Sequence, residues 1–232
     1  MTAVEEYREA VRLQKEIWGF SEEDALPVRL FVVASKIGGQ IFGAFDGARI
    51  VGFCVALPGI KPGGGNFLHS NMLGVEAPYR DKGVGRLLKL AQRNDALARG
   101  IDLMEWTFDP LEIKNAYFNM ERLGAVVKRY VLNQYGVTSS ALHAGLPTDR
   151  CVAEWFMDSG RVRGILAGEP LPRPPIEARI EVPLNTNEPK RDIQARVSSQ
   201  FVEYLRQGLT AVGVERSENK GTYLLARWEP ES

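Results

Sequence analysis

The sequence predicts an α/β (α+β) chain with a main core and a small C-terminal α/β extension. Three observations predict it. Apolar residues recur at helical spacing over residues 3–18 and again over 84–99. Between and beyond those stretches stand apolar runs of strand length, "GQIFGAF", "ARIVGFCVAL", "FLHSNMLGV" and "IDLMEWTF", bounded by Gly, Pro and Asp. With 232 residues, 44% of them hydrophobic and 25% charged, the chain has a globular composition and enough length for one large domain or a domain with a sizeable appendage.

Each element follows from local chemistry. Residues 3–18 place Val4, Tyr7, Val11, Ile17 and Trp18 among charges, an amphipathic helix that Gly19 ends. "PVRLFVVASKIGG" reads as a helix with Pro27 in its first turn, although its β-branched residues disfavour helix. Asp46-Gly47 between two apolar runs predicts a two-residue hairpin turn, and "KPGGGN" predicts a mobile loop. A strand at 67–75, a helix over 84–99, a strand in "IDLMEWTF" and a helix over 113–123 stopped by Gly124 follow. "AVVKRYVLNQY" and "CVAEWFM" complete the core as strands, giving ααββ, βα, βα, ββ within residues 1–158. Residues 159–176, with Pro170, Pro172, Pro174 and Pro175, read as a Pro/Gly-rich linker. Residues 177–232 read as the extension: a strand, a helix from about Pro189 to Gln207 with Ile193, Val197, Phe201, Tyr204 and Leu205 on one face, and two short strands. Its expected role is to cover an acceptor cleft, pair with the core sheet or make a homodimer contact.

Charge narrows the function. The 29 basic residues balance 29 acidic ones, which argues against a nucleic-acid or membrane partner. No apolar run approaches the roughly 18 residues of a membrane span, and the charged N-terminus lacks the apolar region of a secretory leader. Cys54 and Cys151 form no disulfide framework, so a reducing, cytoplasmic setting is expected.

The chemistry concentrates in "MLGVEAPYRDKGVGRLLKLAQR", residues 72–93. Val84, Leu87, Leu88, Ala91, Asp95 and Ala98 trace the expected packed side of the helix, whose first turn presents unpaired N–H groups. Gly83 and Gly85 permit close backbone approach, and Arg80, Lys82 and Arg86 favour an anion such as phosphate. Taken alone the pattern fits an anion cradle or a tight strand-to-helix turn. The third glycine of a dinucleotide fingerprint is missing, and no P-loop occurs.

Arg80-Asp81-Lys82-Gly83-Val84-Gly85 resembles the Arg/Gln-x-x-Gly-x-Gly/Ala pyrophosphate loop of the GNAT acyltransferases, five residues after Val75 as in that family's strand-loop-helix. The element order through Met157 resembles the GNAT core, about two thirds of the chain. The resemblance implies a mixed, mostly antiparallel, splayed sheet flanked by helices. It implies acetyl-CoA or another acyl-CoA as co-substrate, with the pyrophosphate on Arg80, Asp81, Lys82, Gly83, Val84, Gly85 and Arg86 and the pantetheine along Leu73, Gly74 and Val75. No metal is expected.

The resemblance also proposes catalytic residues. His69 stands eleven residues before Arg80, where some branches carry a glutamate or histidine as general base, and plain strand alternation puts His69, Asn71, Leu73 and Val75 on one face. Its alternative is a strand histidine bonded to a neighbouring carbonyl; His143 reads as a loop residue. Four residues before Gly124, where many members carry an acid tyrosine, this sequence has Met120, and Tyr117 is the substitute candidate, with core packing as the alternative. Asn115 matches a coenzyme A-contacting asparagine, or is a helix cap. Asp109 in "WTFDPL" is a candidate to hold the ammonium of a small-molecule amine or amino-acid acceptor, or a turn starter. A larger acyl group such as succinyl would want a cation, for which Lys61, Arg122, Lys128 and Arg150 are candidates. The expected activity is CoA-dependent N-acyl transfer; a catalytically silent CoA-binding or interaction module is the alternative.

Overall fold

A computed structural model describes residues 1–136, 146–169 and 173–230, and His143 lies outside them. The described chain packs as two units: residues 1–104, and residues 105–136 with 146–230.

In the first unit, α1 (Val4–Trp18) and α2 (Val28–Lys36) precede the strands β1 (Gln40–Asp46), β2 (Arg49–Ile60) and β3 (Asn66–Val75), and α3 (Val84–Ala98) follows. The Glu6 carboxylate caps α1 by accepting from the Thr2 and Ala3 amides at 2.6 and 3.0 Å, and Gly19 ends the helix at φ 69°. Pro27 is the residue that precedes α2 rather than one of its first turn. The hairpin turn consists of Gly47 and Ala48, one residue later than the Asp-Gly pair suggests, since Asp46 already pairs with Arg49. Residues 61–65 are closed by Lys61 N–H to Gly65 O at 3.0 Å.

The strands pair antiparallel in the order β1-β2-β3. β2 is buried on both faces, which is why "IVGFCVAL" shows no alternation. Phe53 and Val55 pack with Tyr7, Leu13 and Phe31 of α1 and α2, whereas Cys54 packs with Val75 and with Leu88 of α3. The helices therefore cover opposite faces.

The buried side of α3 differs from the one expected. Leu88, Lys89, Gln92 and Ala96 are inside, while Leu87 is 65% exposed. Two polar side chains can occupy that side because they bond one another's surroundings: Lys89 Nζ donates to Ser70 Oγ at 2.7 Å, and Ser70 Oγ donates to Gln92 Oε1 at 3.0 Å.

The strand β4 (Leu103–Phe108), in the second unit from Glu105 onward, leads through Asp109 to α4 (Ile113–Tyr117), which widens into a π-turn over Phe118–Arg122 before Gly124 stops it at φ 83°. β5 (Val126–Val131), β6 (Arg150–Phe156), α5 (Gly160–Ala167), β7 (Ala178–Pro183), α6 (Lys190–Arg206), β8 (Thr210–Arg216) and β9 (Lys220–Ala226) follow. The strand order is β4-β6-β5-β8-β9-β7.

The expected linker at 159–176 is corrected over residues 160–167, which are the helix α5. Ser159 caps it by accepting from the Val162 amide at 3.3 Å, and Val162 is fully buried. Nor do the C-terminal residues stand apart from the strands before them. β8 pairs antiparallel with β5 at Val127 and Ala211, which is the sheet pairing expected as one role of the extension. It covers what would be an open edge of β5 and buries Ala211, Val212, Val214, Leu224 and Leu225. Half-buried Arg161 ties the layers by donating to Gly124 O at 3.0 Å, Met120 O at 3.4 Å and Val212 O at 2.6 Å.

Candidate functional site

The end of β3 and the start of α3 build a backbone cradle. β3 runs into Glu76, whose buried carboxylate accepts two bonds from Arg49 at 2.9 and 2.8 Å and one from Arg12 at 3.4 Å. A single 3₁₀ turn over Ala77–Tyr79 follows, and Tyr79 Oη donates to Asp46 Oδ2 at 2.6 Å. Arg80 folds back so that its Nε donates to Val75 O at 2.9 Å. Asp81 at φ 60° and Gly83 at φ 83° then turn the chain into α3. Left-handed backbone is strained at Asp81 and nearly free at Gly83.

Gly83 precedes the first helical residue and carries no side-chain cap. The first-turn N–H groups at Val84, Gly85 and Arg86 lack intrahelical acceptors by the geometry of any α-helix, and they carry the positive end of a 15-residue dipole. Arg80 and Lys82 are exposed beside them, and Arg86 is half-buried.

Packing leaves open space at the two glycines of this turn. A Cβ at Gly83 would meet nothing within 4 Å, and one at Gly85 only Leu73 Cδ2 at an ordinary 3.5 Å. The packing of this unit therefore does not require Gly85, and only the positive φ requires Gly83. Open space over bare backbone at a helix N-terminus fits a pyrophosphate. Gly74 is different: a Cβ there would lie 2.8 Å from Ile17 and Trp18, so α1 packing alone explains that glycine.

β3 carries a bulge that overturns the expected alternation. Val55 pairs with Met72 and Ala56 with Ser70, leaving Asn71 without a partner on β2. The extra residue flips parity. His69 opposes Leu57, on the face packed by α1 and α2 with Met72, whereas Leu73 and Val75 lie on the α3 face with Cys54. His69 is half-buried.

Behind the bulge sits a group that the sequence reading did not single out. Burial lowers the pKa of the Lys89 ammonium from its ordinary 10.5 to about 7, and Met104 Sδ lies 4.0 Å from its Nζ. Burial likewise pushes the Cys54 thiol up to about 12. Both cysteines are buried thiols.

In the second unit, half-buried Asp109 accepts from the Leu111 amide at 2.8 Å, an Asx turn leading into α4. Glu112, not Asn115, holds the cap position of α4, and Asn115 is exposed. Tyr117 is half-buried between two guanidinium groups, Arg122 at 5.8 Å and Arg216 at 5.6 Å from its ring. Met120 is fully buried. The cation candidates are largely engaged: Lys61 lies over the Phe67 ring at 5.0 Å, Lys128 pairs with Glu229 at 2.6 Å, and buried Arg150 donates to Asp149 O at 2.8 Å. Among the described residues no His/Cys/Asp/Glu group is arranged to hold a metal ion, and no helix is long and apolar enough to cross a membrane.

No protein-family model and no curated protein matches the sequence. Solved structures do match. A Desulfovibrio desulfuricans protein assigned to the GNAT family of acetyltransferases superposes with a TM-score of 0.54 at 15% identity, over 68% of this chain and 96% of its own. The ribosomal-protein-S18-alanine N-acetyltransferase of Escherichia coli gives 0.51 at 13%, over 66% and 88%. Chaetomium thermophilum Naa20, solved with a bisubstrate analogue, gives 0.53 at 18%, over 67% and 84%. Across about two thirds of its length, this chain has the fold of the GNAT acetyltransferases.

Proposed function

We propose that the chain is a CoA-dependent N-acyltransferase. It passes an acetyl group, or another acyl group such as succinyl, to the amine of a small molecule or amino acid by direct attack on the thioester. The observation that carries this reading is the cradle: open glycines at the first turn of α3, beside Arg80, Lys82 and Arg86, in a fold that acetyltransferases share.

Acyl-CoA, when bound, supplies an activated carbonyl. The amides at the start of α3 and the Arg80, Lys82 and Arg86 side chains bind the pyrophosphate charge, while the backbone of Leu73, Gly74 and Val75 orients the pantetheine amides. Asn115 contributes a further polar contact. His69 takes the proton of the attacking amine, a role its half-buried position on β3 permits, although not on the face that plain alternation gives it. Asp109 holds the acceptor as an ammonium before that proton leaves. With Met120 inside the core, Tyr117 is the hydroxyl left on this stretch to protonate the departing sulfur. That sulfur, with an ordinary thiol pKa of about 8.5, leaves readily even unaided. Buried, unbridged thiols suit a reducing, cytoplasmic setting.

The test is thiol release from acetyl-, propionyl- and succinyl-CoA against pooled amino acids and polyamines. Amine-dependent release supports transfer. Binding of coenzyme A with no release under any amine would instead mark a silent CoA-binding module.

A further inference from the structure

The outermost strand of the second unit leaves one edge open. Among the described residues β7 has a single strand neighbour, β9, so half of its main-chain groups bond nothing within the sheet. Register identifies them. The Leu184 amide donates to Asn219 O at 2.8 Å, one step beyond the Pro183 and Lys220 pair that ends an unshifted ladder. Bonded and non-bonded pairs alternate along an antiparallel ladder, so Ile180 and Val182 bond β9 while the N–H and C=O groups of Arg179 and Glu181 point away from it. Pro183 falls in the outward set, where its missing N–H takes no bond from the ladder.

The side chains divide in the same way. Ile180 is in register with Tyr223, whose ring meets Phe201 of α6 edge-on at 4.9 Å, so buried Ile180 and Val182 face α6. Alternation puts Arg179 and Glu181 on the other face, where their side chains are 52% and 57% exposed. Arg179 donates to Glu215 at 3.0 Å, and Glu181 pairs with Lys220. Beside the edge lies a groove of about 500 Å³, lined by Arg179, Glu181 and Pro183 of β7, Arg196 and Gln200 of α6 and Lys220 of β9. A further strand has room to approach there.

An edge that carries a cation and an anion two residues apart is complementary to itself. In an antiparallel pairing of two copies about a two-fold axis at Ile180, Arg179 of each copy stands opposite the partner's Glu181. All the outward N–H groups of these residues, two per copy, then find carbonyl acceptors. Shifting the register by two residues would oppose Arg179 to the partner's Arg179, or Glu181 to the partner's Glu181, so charge selects one register. The pairs within each copy extend the match: Lys220, Glu181, the partner's Arg179 and the partner's Glu215 alternate in sign.

We propose that β7 is a self-association edge, at which two copies of this chain join into one continuous sheet through antiparallel β7 strands centred on Ile180. A second copy matches both charges by symmetry alone, which is what selects it as the occupant. The inference is independent of the acyltransferase reading.

Sedimentation equilibrium of the full chain, from about 1 to about 100 μM, should show monomers in equilibrium with dimers. Arg179→Glu and Glu181→Arg each set like charges opposite one another twice across the axis, and each should raise the dimer dissociation constant about 10- to 100-fold. Mixed in equal amounts, these two variants restore both opposite-charge pairs, and a mixed dimer should form about as tightly as the dimer of the unaltered chain. Glu181→Pro removes an outward N–H without touching the bonds to β9 and should weaken the dimer, with circular dichroism showing that the fold persists. A chain that stays monomeric throughout this range would overturn the proposal. So would a dimer that neither charge reversal nor Glu181→Pro weakens, which would place the contact elsewhere, or two weakened variants that fail to pair with each other.

Discussion

Replacing Lys89 by Met should stabilise the first unit at neutral pH, although it removes a hydrogen-bonded side chain from the interior. The folded pKa of about 7 lies some 3.5 units below the ordinary 10.5, worth about 5 kcal/mol at 1.36 kcal/mol per unit. The unfolded chain binds this proton more tightly, so between pH 7 and 10.5 stability rises with pH. Below pH 7 the cost is present in full, and near pH 10.5 it is gone. At pH 7 it amounts to about 4 kcal/mol, against which the Ser70 oxygen left behind costs about 1–3 kcal/mol. Met fills a similar volume, so the net gain is about 1–3 kcal/mol. Urea unfolding of both chains at pH 6, 7, 8 and 9 measures it. The gap between them should narrow steadily as pH rises. A Lys89→Met chain less stable at pH 7, or a gap independent of pH, would show that the amine is solvated or paired strongly enough to keep its charge.

Two further outcomes are expected. His69→Gln should leave coenzyme A affinity intact and lower turnover at pH 7 by about 10²–10⁴-fold, with the loss shrinking as pH approaches the amine's own pKa; normal turnover in the folded variant would remove His69 from the reaction. Gly221→Ala should destabilise the second unit by about 1–3 kcal/mol in urea unfolding, because the new Cβ would lie 2.4 Å from Ile113 Cγ2, and an unchanged midpoint would mean that α4 shifts freely.

What was legible in the sequence is what local chemistry determines. The helices, the strand runs and the glycine turn into α3 depend on periodicity and glycines close together in the chain, and they occur near where these patterns put them. Register is different. The bulge at Asn71 arises from how β3 pairs with β2, so alternation counted along β3 alone puts His69 on the wrong face. The buried side of α3 was met only in part, at Leu88 and Val84, because an apolar count favours Leu87 over Lys89, whereas the structure buries Lys89 against Ser70, nineteen positions away. A proline cluster suggested a linker over residues 159–176, yet Ser159 caps a helix there and Val162 finds a buried place. The hydrogen-bond chain from Tyr130 through Ser198 to Asp149 joins residues 68 and 49 positions apart and leaves no local signal.

The central claim is that the turn into α3 binds the pyrophosphate of coenzyme A. Titration calorimetry with coenzyme A on the unaltered chain and on the Gly83→Val, Gly85→Val variant tests it directly. A Cβ at Gly85 makes only an ordinary contact with Leu73, and left-handed strain at Gly83 costs about 1–2 kcal/mol, so the variant should keep its circular dichroism. The unaltered chain should give a saturable isotherm and the folded variant no measurable heat. Equal affinity in the two, or no binding by the unaltered chain, would contradict the account.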